Sequence, residues 1–152
     1  MLDTSGSMRR GGRLALAKGH AQWLIEHAAR AGDDVALLCF GGGGVDLRLP
    51  PGRARAAGSA QLRPLGGGGG TPLAQALARA EALLRRVARR HGPVESWLWL
   101  LSDGRTLEQP AAPSAAQRIV VVDFDDPALA IGRCSDWARR WGADYRRASR
   151  PE

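Results

Sequence analysis

Asp3-Thr4-Ser5-Gly6-Ser7 stands almost at the start of the chain and decides how the rest is read. A carboxylate and two hydroxyls at alternate positions of one short loop can turn three oxygens toward a small, hard cation. Mg²⁺ prefers such a set, with oxygen ligands, octahedral geometry and several retained waters. The same residue types also build ordinary turns and helix caps, so the pentapeptide needs company downstream.

That company comes with the order of elements. From Arg13 to Arg30, apolar residues at helical spacing (Leu14, Leu16, Ala17, Trp23, Leu24, Ala28) predict a helix opening just after the Ser/Gly loop and ending at Gly32-Asp33-Asp34. Val35 to Phe40 is a continuous apolar run, as a strand buried on both faces should be. Val45 to Leu49 alternates like an edge strand, which Pro50-Pro51 should stop, and the two runs form a hairpin. Arg53 to Leu62 reads as a short helical stretch and Gly66 to Gly70 as a five-glycine loop. Thr71 is the expected N-cap, and Pro72 the first residue, of a helix running to about Arg90. Val94 to Leu101 and Ile119 to Val122 are further buried strands, followed by Ser102-Asp103-Gly104 and Asp123. Asp126-Pro127 can cap a last helical region, most regular from Cys134 to Trp141, and Ala143 to Arg147 adds a short final strand.

Strands alternating with helices imply an α/β fold: a three-layer, open, mostly parallel sheet with one antiparallel edge strand. Ligands of such sheets bind beyond the carboxyl ends of the strands, where strand order reverses. Asp3, Ser5, Ser7, Thr71 and Asp103 would then meet on one edge. In this reading Ser5, Ser7 and Thr71 bring hydroxyls to the ion. Asp3 and Asp103 bring charge, directly or through metal-bound waters.

Length and composition fit one domain over residues 1–152. The net charge is +7, and every one of the 22 basic residues except Lys18 is Arg. This is read as a solvated, Arg-biased surface, and nucleic acid is not an expected partner because basic and aromatic residues do not interleave. Cys39 and Cys134 have no CxxC or Cys/His neighbours. The longest apolar run, Trp97 to Leu101, is too short to span a bilayer, and a cytoplasmic location is expected. His20, His27 and His91 read as surface or packing residues. Asp123, Asp125 and Asp126 read as turn and cap residues, and Arg85, Arg86, Arg89 and Arg90 as a solvated helix end.

Asp3-x-Ser5-x-Ser7 with Thr71 and Asp103 resembles the metal-ion-dependent adhesion site of von Willebrand factor type A domains. Ala17-Lys18-Gly19, Asp34 to Phe40, Leu47 to Pro51, Gly68 to Leu73 and Leu101-Ser-Asp-Gly-Arg105 resemble in particular the carboxy-terminal A domain of the magnesium chelatase D subunit. The resemblance implies a bound Mg²⁺, with Mn²⁺ or Ca²⁺ as alternatives, and a partner Asp or Glu completing its shell. It also implies docking on an AAA+ ATPase. An accessory role in a MoxR-type AAA+ chaperone system, or surface adhesion, are the alternatives. No Walker A lysine is present in Gly66 to Thr71, and no catalytic residues of the chain's own are identified. On this reading Asp3→Ala or Ser5→Ala abolishes Mg²⁺-dependent capture and leaves the fold largely intact. The resemblance also calls for a hydrophobic central strand leading into Asp3, of which Met1 and Leu2 remain. The expectation is therefore an amino-terminally truncated form of a longer protein.

Overall fold

The structure, a computed structural model, describes residues 1–62 and 68–149. Among the described residues, six strands form one sheet in the order β3-β2-β1-β4-β5-β6. They are β1 (Leu2–Asp3), β2 (Asp34–Gly41), β3 (Gly44–Arg53), β4 (Trp97–Ser102), β5 (Arg118–Asp123) and β6 (Asp144–Arg147). Only the β2–β3 pair is antiparallel; β1–β2, β1–β4, β4–β5 and β5–β6 are parallel. The expected α/β class, with one antiparallel edge strand, is what the molecule has.

The apolar runs behave as a doubly covered sheet demands. Leu37 and Cys39 of β2 face one layer, and Leu38 and Phe40 the other. On β5, Val120 and Val122 share the first side while Val121 takes the second. The first layer holds α1 (Arg13–Ala31) and a 3-10 segment, Ala56–Leu62; the second holds α2 (Leu73–His91) and α3 (Arg133–Trp141). Ala17, Ala21 and Ile25 recur at helical spacing as the buried stripe of α1. Leu73, Ala76, Leu77 and Ala80 do the same for α2.

Several boundaries depart from the sequence reading; β4, for one, opens at Trp97 and not at Val94. β3 does not stop at Pro50-Pro51 but continues to Arg53. Proline lacks an N–H to give a neighbour, and an edge strand can tolerate that on its outer side; the ladder shows register irregularities between Val35 and Leu38 instead. Asp126-Pro127 caps no helix: Asp126 Oδ1 accepts the Ala128 N–H in a turn, and α3 begins only after Gly132.

The centre of the sheet is β1, and its ladder is short. Leu2 pairs with Cys39 and Leu101, and Asp3 with Phe40. The reversal of strand order therefore falls at Asp3, with β2 on one side and β4 on the other. Everything that follows Asp3, Ser102 and Asp123 lies along one edge of the sheet.

Candidate functional site

Asp3 anchors this edge. It is fully buried, and both carboxylate oxygens are engaged: Oδ1 accepts the Ser5 N–H at 2.8 Å and Oδ2 accepts the Ser102 hydroxyl at 2.6 Å. Ser102 Oγ in turn accepts the Gly104 N–H at 3.0 Å. Burial pushes the Asp3 carboxyl above its ordinary range, against the opposing pull of the Ser102 and Ser5 hydrogen bonds. The chain leaves β1 through Ser5, whose hydroxyl lies 3.2 Å from that of Ser7, into two 3-10 turns that span Gly6–Gly12.

Asp103 caps the other side. Its Oδ1 accepts the Arg105 N–H at 3.2 Å, and its Oδ2 pairs with Arg13 Nη1 at 3.3 Å. Arg13 Nη1 also donates to the Ser7 carbonyl at 3.3 Å, so one guanidinium ties the first loop to the β4 loop. Beyond it, Arg105 pairs with the buried Asp125 at 2.8 Å and donates to the Leu129 carbonyl. Cys134 packs beneath Gly104, and burial, then the carboxylates of Asp123 and Asp103, hold its thiol far above the usual range. The Cys39 thiol, also buried, is pushed up to about 11.

The glycine loop is laced to the same edge through backbone. Gly68 N–H donates to the Thr4 carbonyl, Gly6 N–H to Gly69, and Gly42 N–H to Gly68. Gly66 and Gly67 lie outside the described residues. The approach is so close that a Cβ on Gly42 would sit 2.5 Å from Gly69 Cα and 2.6 Å from the Gly68 oxygen. Both obstacles are backbone and cannot swing aside. Gly42→Ala is expected to push the loops apart and cost about 1–3 kcal/mol, read as a lower urea midpoint at unchanged slope. Gly43→Ala, with nothing within 4 Å of its Cβ, is the matched control.

Thr71 lies beside these loops but does not cap α2. The N-cap position is Pro72, without a side-chain cap hydrogen bond; the Glu108 carboxylate serves instead, accepting the Ala74 N–H at 2.6 Å. The Thr71 carbonyl accepts from the Leu73 N–H and, at 3.5 Å, from the Thr106 hydroxyl.

The structure thus places Asp3, Ser5, Ser7, Thr71 and Asp103 on one edge, but their chemistry differs from the expectation. Among the described residues, no three or more His, Cys, Asp or Glu side chains come together so as to hold a metal ion. The Mg²⁺ site, its Mn²⁺ and Ca²⁺ alternatives, and a partner Asp or Glu completing a metal shell are corrected accordingly, and with them Mg²⁺-dependent docking on an AAA+ ATPase. The physical reason lies in the donors. Both Asp3 oxygens are taken by Ser5 and Ser102, and both Asp103 oxygens by Arg105 and Arg13. The positive charge facing Asp103 is a guanidinium of the chain itself. Ser102, Arg13 and Arg105 do most of this closing, Glu108 takes the cap expected of Thr71, and sequence reasoning assigned none of them a role. A hydroxyl immediately before Asp103, and an Arg after the glycine pair Gly11-Gly12, were the available signals.

Comparison with known proteins gives the fold its context. Residues 1–122 match the family described as von Willebrand factor type A domain. The magnesium-chelatase 60 kDa subunit of Cereibacter sphaeroides is 42% identical over 105 residues, covering 68% of this chain and 18% of that protein. The magnesium-chelatase 67 kDa subunit of Chlorobaculum parvum is 32% identical over 137 residues, covering 86% of this chain and 22% of the other. The uncharacterized protein Rv2850c of Mycobacterium tuberculosis is 30% identical, covering 94% and 24%. The chain therefore spans about a fifth of the length of these relatives. Among solved structures, a von Willebrand factor type A protein from Catenulispora acidiphila superposes with a TM-score of 0.50 at 18% identity, over 96% of this chain and 31% of that one. An uncharacterized membrane spanning protein from Vibrio fischeri also gives 0.50, at 20% identity, over 99% and 88%. Among the described residues of the present chain, no helix is long and apolar enough to cross a membrane. With the sheet order, the converging loops and these matches together, the chain belongs to the von Willebrand factor type A domain family and is related to magnesium-chelatase subunits.

Proposed function

We propose that residues 1–152 act as one cytoplasmic protein-interaction domain of a magnesium-chelatase-like assembly, equivalent to the carboxy-terminal A domain of a chelatase D subunit. The observation that carries the reading is the internally closed edge. Asp3, Ser102, Asp103 and Arg13 satisfy one another, and the loop ends they hold present half-buried Ser7, Arg13, Thr71 and Arg105 to a partner. An edge already complete in hydrogen bonds suits recognition by shape and by exposed polar groups more than bond-making chemistry. The two cysteines are free and buried, which suits a reducing compartment. The partner in this reading is another subunit of the same assembly.

The test is capture of the other subunits of the matched magnesium chelatases, those of Cereibacter sphaeroides for example, by surface plasmon resonance on the immobilised protein. Binding is expected to persist in EDTA. Arg13→Glu should weaken it by roughly tenfold, because a like charge is set against Asp103 and the link to Ser7 is lost. Circular dichroism would confirm that the variant stays folded. Capture that disappears in EDTA, or that Arg13→Glu leaves untouched, would overturn the reading.

A further inference from the structure

Two of the chain's apolar runs, Leu37 to Phe40 and Val120 to Val122, are buried in the sheet. A third, Pro127-Ala128-Leu129-Ala130-Ile131, joins β5 to α3 and is exposed at all five positions. Leu129 is 68% exposed and Ile131 54%. A run of this length left in water costs solubility and invites aggregation, so a fold that keeps one uses it for a contact.

The run is held in one shape by the buried carboxylate of Asp125. Its Oδ1 accepts the Asp126 N–H at 3.0 Å and its Oδ2 the Ile131 N–H at 2.9 Å, so one side chain clamps both ends. Between them, the Leu129 N–H donates to the Asp126 carbonyl and the Ala128 N–H to Asp126 Oδ1, each at 3.0 Å. Arg105 braces the loop from outside. Its Nε and Nη2 reach Asp125 Oδ1 at 2.9 and 2.8 Å, and Nη2 also donates to the Leu129 carbonyl at 3.1 Å. Apolar side chains on a backbone fixed in this way lose little further freedom when they are bound.

Arg105 also says what meets the run. The same half-buried guanidinium belongs to the edge proposed above to face a partner subunit, and a partner seated on it lies against Leu129 as well. A lipid surface is the poorer match. The run has no aromatic residue to sit at a headgroup boundary; Asp126 before it and Arg133 after it cancel, and Arg105 is spent on Asp125. We infer that Leu129 and Ile131 are the apolar anchors of the partner contact, received by a pocket of aliphatic or aromatic side chains on the partner subunit. The inference rests on the reading of the edge as an interaction surface and adds a division of labour to it. Ser7, Arg13 and Thr71 orient the partner, and the apolar run holds it.

Surface plasmon resonance with the same Cereibacter sphaeroides subunits tests it, because it separates association from dissociation. The double variant Leu129→Ser/Ile131→Ser changes exposed positions and should keep the circular dichroism of the parent. It should weaken capture by at least about tenfold through faster dissociation, at low and high salt alike. Leu129→Met/Ile131→Val, which keeps the run apolar, should hold the partner as the parent does. If the serine variant dissociates like the parent while Arg13→Glu still weakens capture, the anchors are wrong and the polar edge stands. If the serine variant loses capture while Arg13→Glu does not, the anchors stand and the polar edge is wrong. No capture by the parent protein overturns both. Binding of the parent, and not of the serine variant, to vesicles of phosphatidylcholine and phosphatidylglycerol in equal parts would assign the run to a membrane and overturn the inference. So would self-association in sedimentation that the serine variant abolishes.

Discussion

Replacing Asp3 with alanine should destabilise the whole domain, not silence one contact. The substitution strips the only side-chain acceptor from a buried backbone N–H at Ser5 and from the Ser102 hydroxyl, which itself orders Gly104. Each orphaned buried donor costs about 1–3 kcal/mol, partly offset because an ionised carboxylate no longer has to be buried. The expected net loss is about 2–4 kcal/mol, a fall of roughly 5–15 °C in Tm for a chain of this size. Asp3→Asn keeps an acceptor for Ser5 and should lose far less. The pair also separates on pH. Because burial raises the Asp3 carboxyl above its ordinary 3.8, the native state holds that proton more firmly than the unfolded chain does. Stability contributed by Asp3 is therefore full below that value and declines as pH rises through the native one. Asp3→Asn should flatten this slope in urea unfolding followed from acid to neutral pH. A wild-type slope that the Asn variant leaves unchanged would show that Asp3 is not its source. This result would also reverse the expectation, natural from the motif alone, that an Asp3 variant keeps its fold and loses only its binding.

Trp137→Ala should cost about as much or more, on the other face of the sheet. Trp137 is fully buried in the α3 layer and stacks on Trp141 at 5.9 Å with the planes 8° apart. Removing a buried indole leaves a cavity worth about 3–5 kcal/mol. Its Nε1 has no hydrogen-bond partner, so Trp137→Phe removes an unsatisfied donor along with part of the ring. The phenylalanine variant should fall only about 1–2 kcal/mol short of wild type, the smaller ring set against the relieved donor. Equal losses from the two variants in urea unfolding would mean that indole volume is not what holds α3. α3 carries Cys134 under Gly104, so the alanine variant should also loosen the Asp103 loop. Faster amide exchange at Gly104 and Arg105 would report it.

How far the residues announced this structure depends on what each one had to reveal. The runs Val35–Phe40 and Ile119–Val122 could scarcely be anything but strands buried on both sides, because their apolar character does not alternate. The stripe Leu73, Leu77, Ala80 likewise left α2 little choice. Caps were harder to read, since a cap belongs to whichever acceptor reaches the helix end first. Glu108, 34 residues beyond Ala74, reaches α2 where Thr71 was expected to. The metal reading failed for a related reason. Spacing along a loop tells where oxygens can be brought together, but not which of them are already spoken for. That depends on Ser102 and Arg13, which meet Asp3 and Asp103 across the assembled sheet.

The Asp3–Ser102 hydrogen bond joins residues 99 positions apart, and Arg13–Asp103 joins residues 90 apart. Contacts of such separation form only at the cost of the entropy of the long loop between them. On a ribosome, this edge cannot exist until β4 has emerged. A partner reading this edge, as proposed above, would therefore also read that synthesis had passed Asp103, and would not take up nascent or prematurely ended chains.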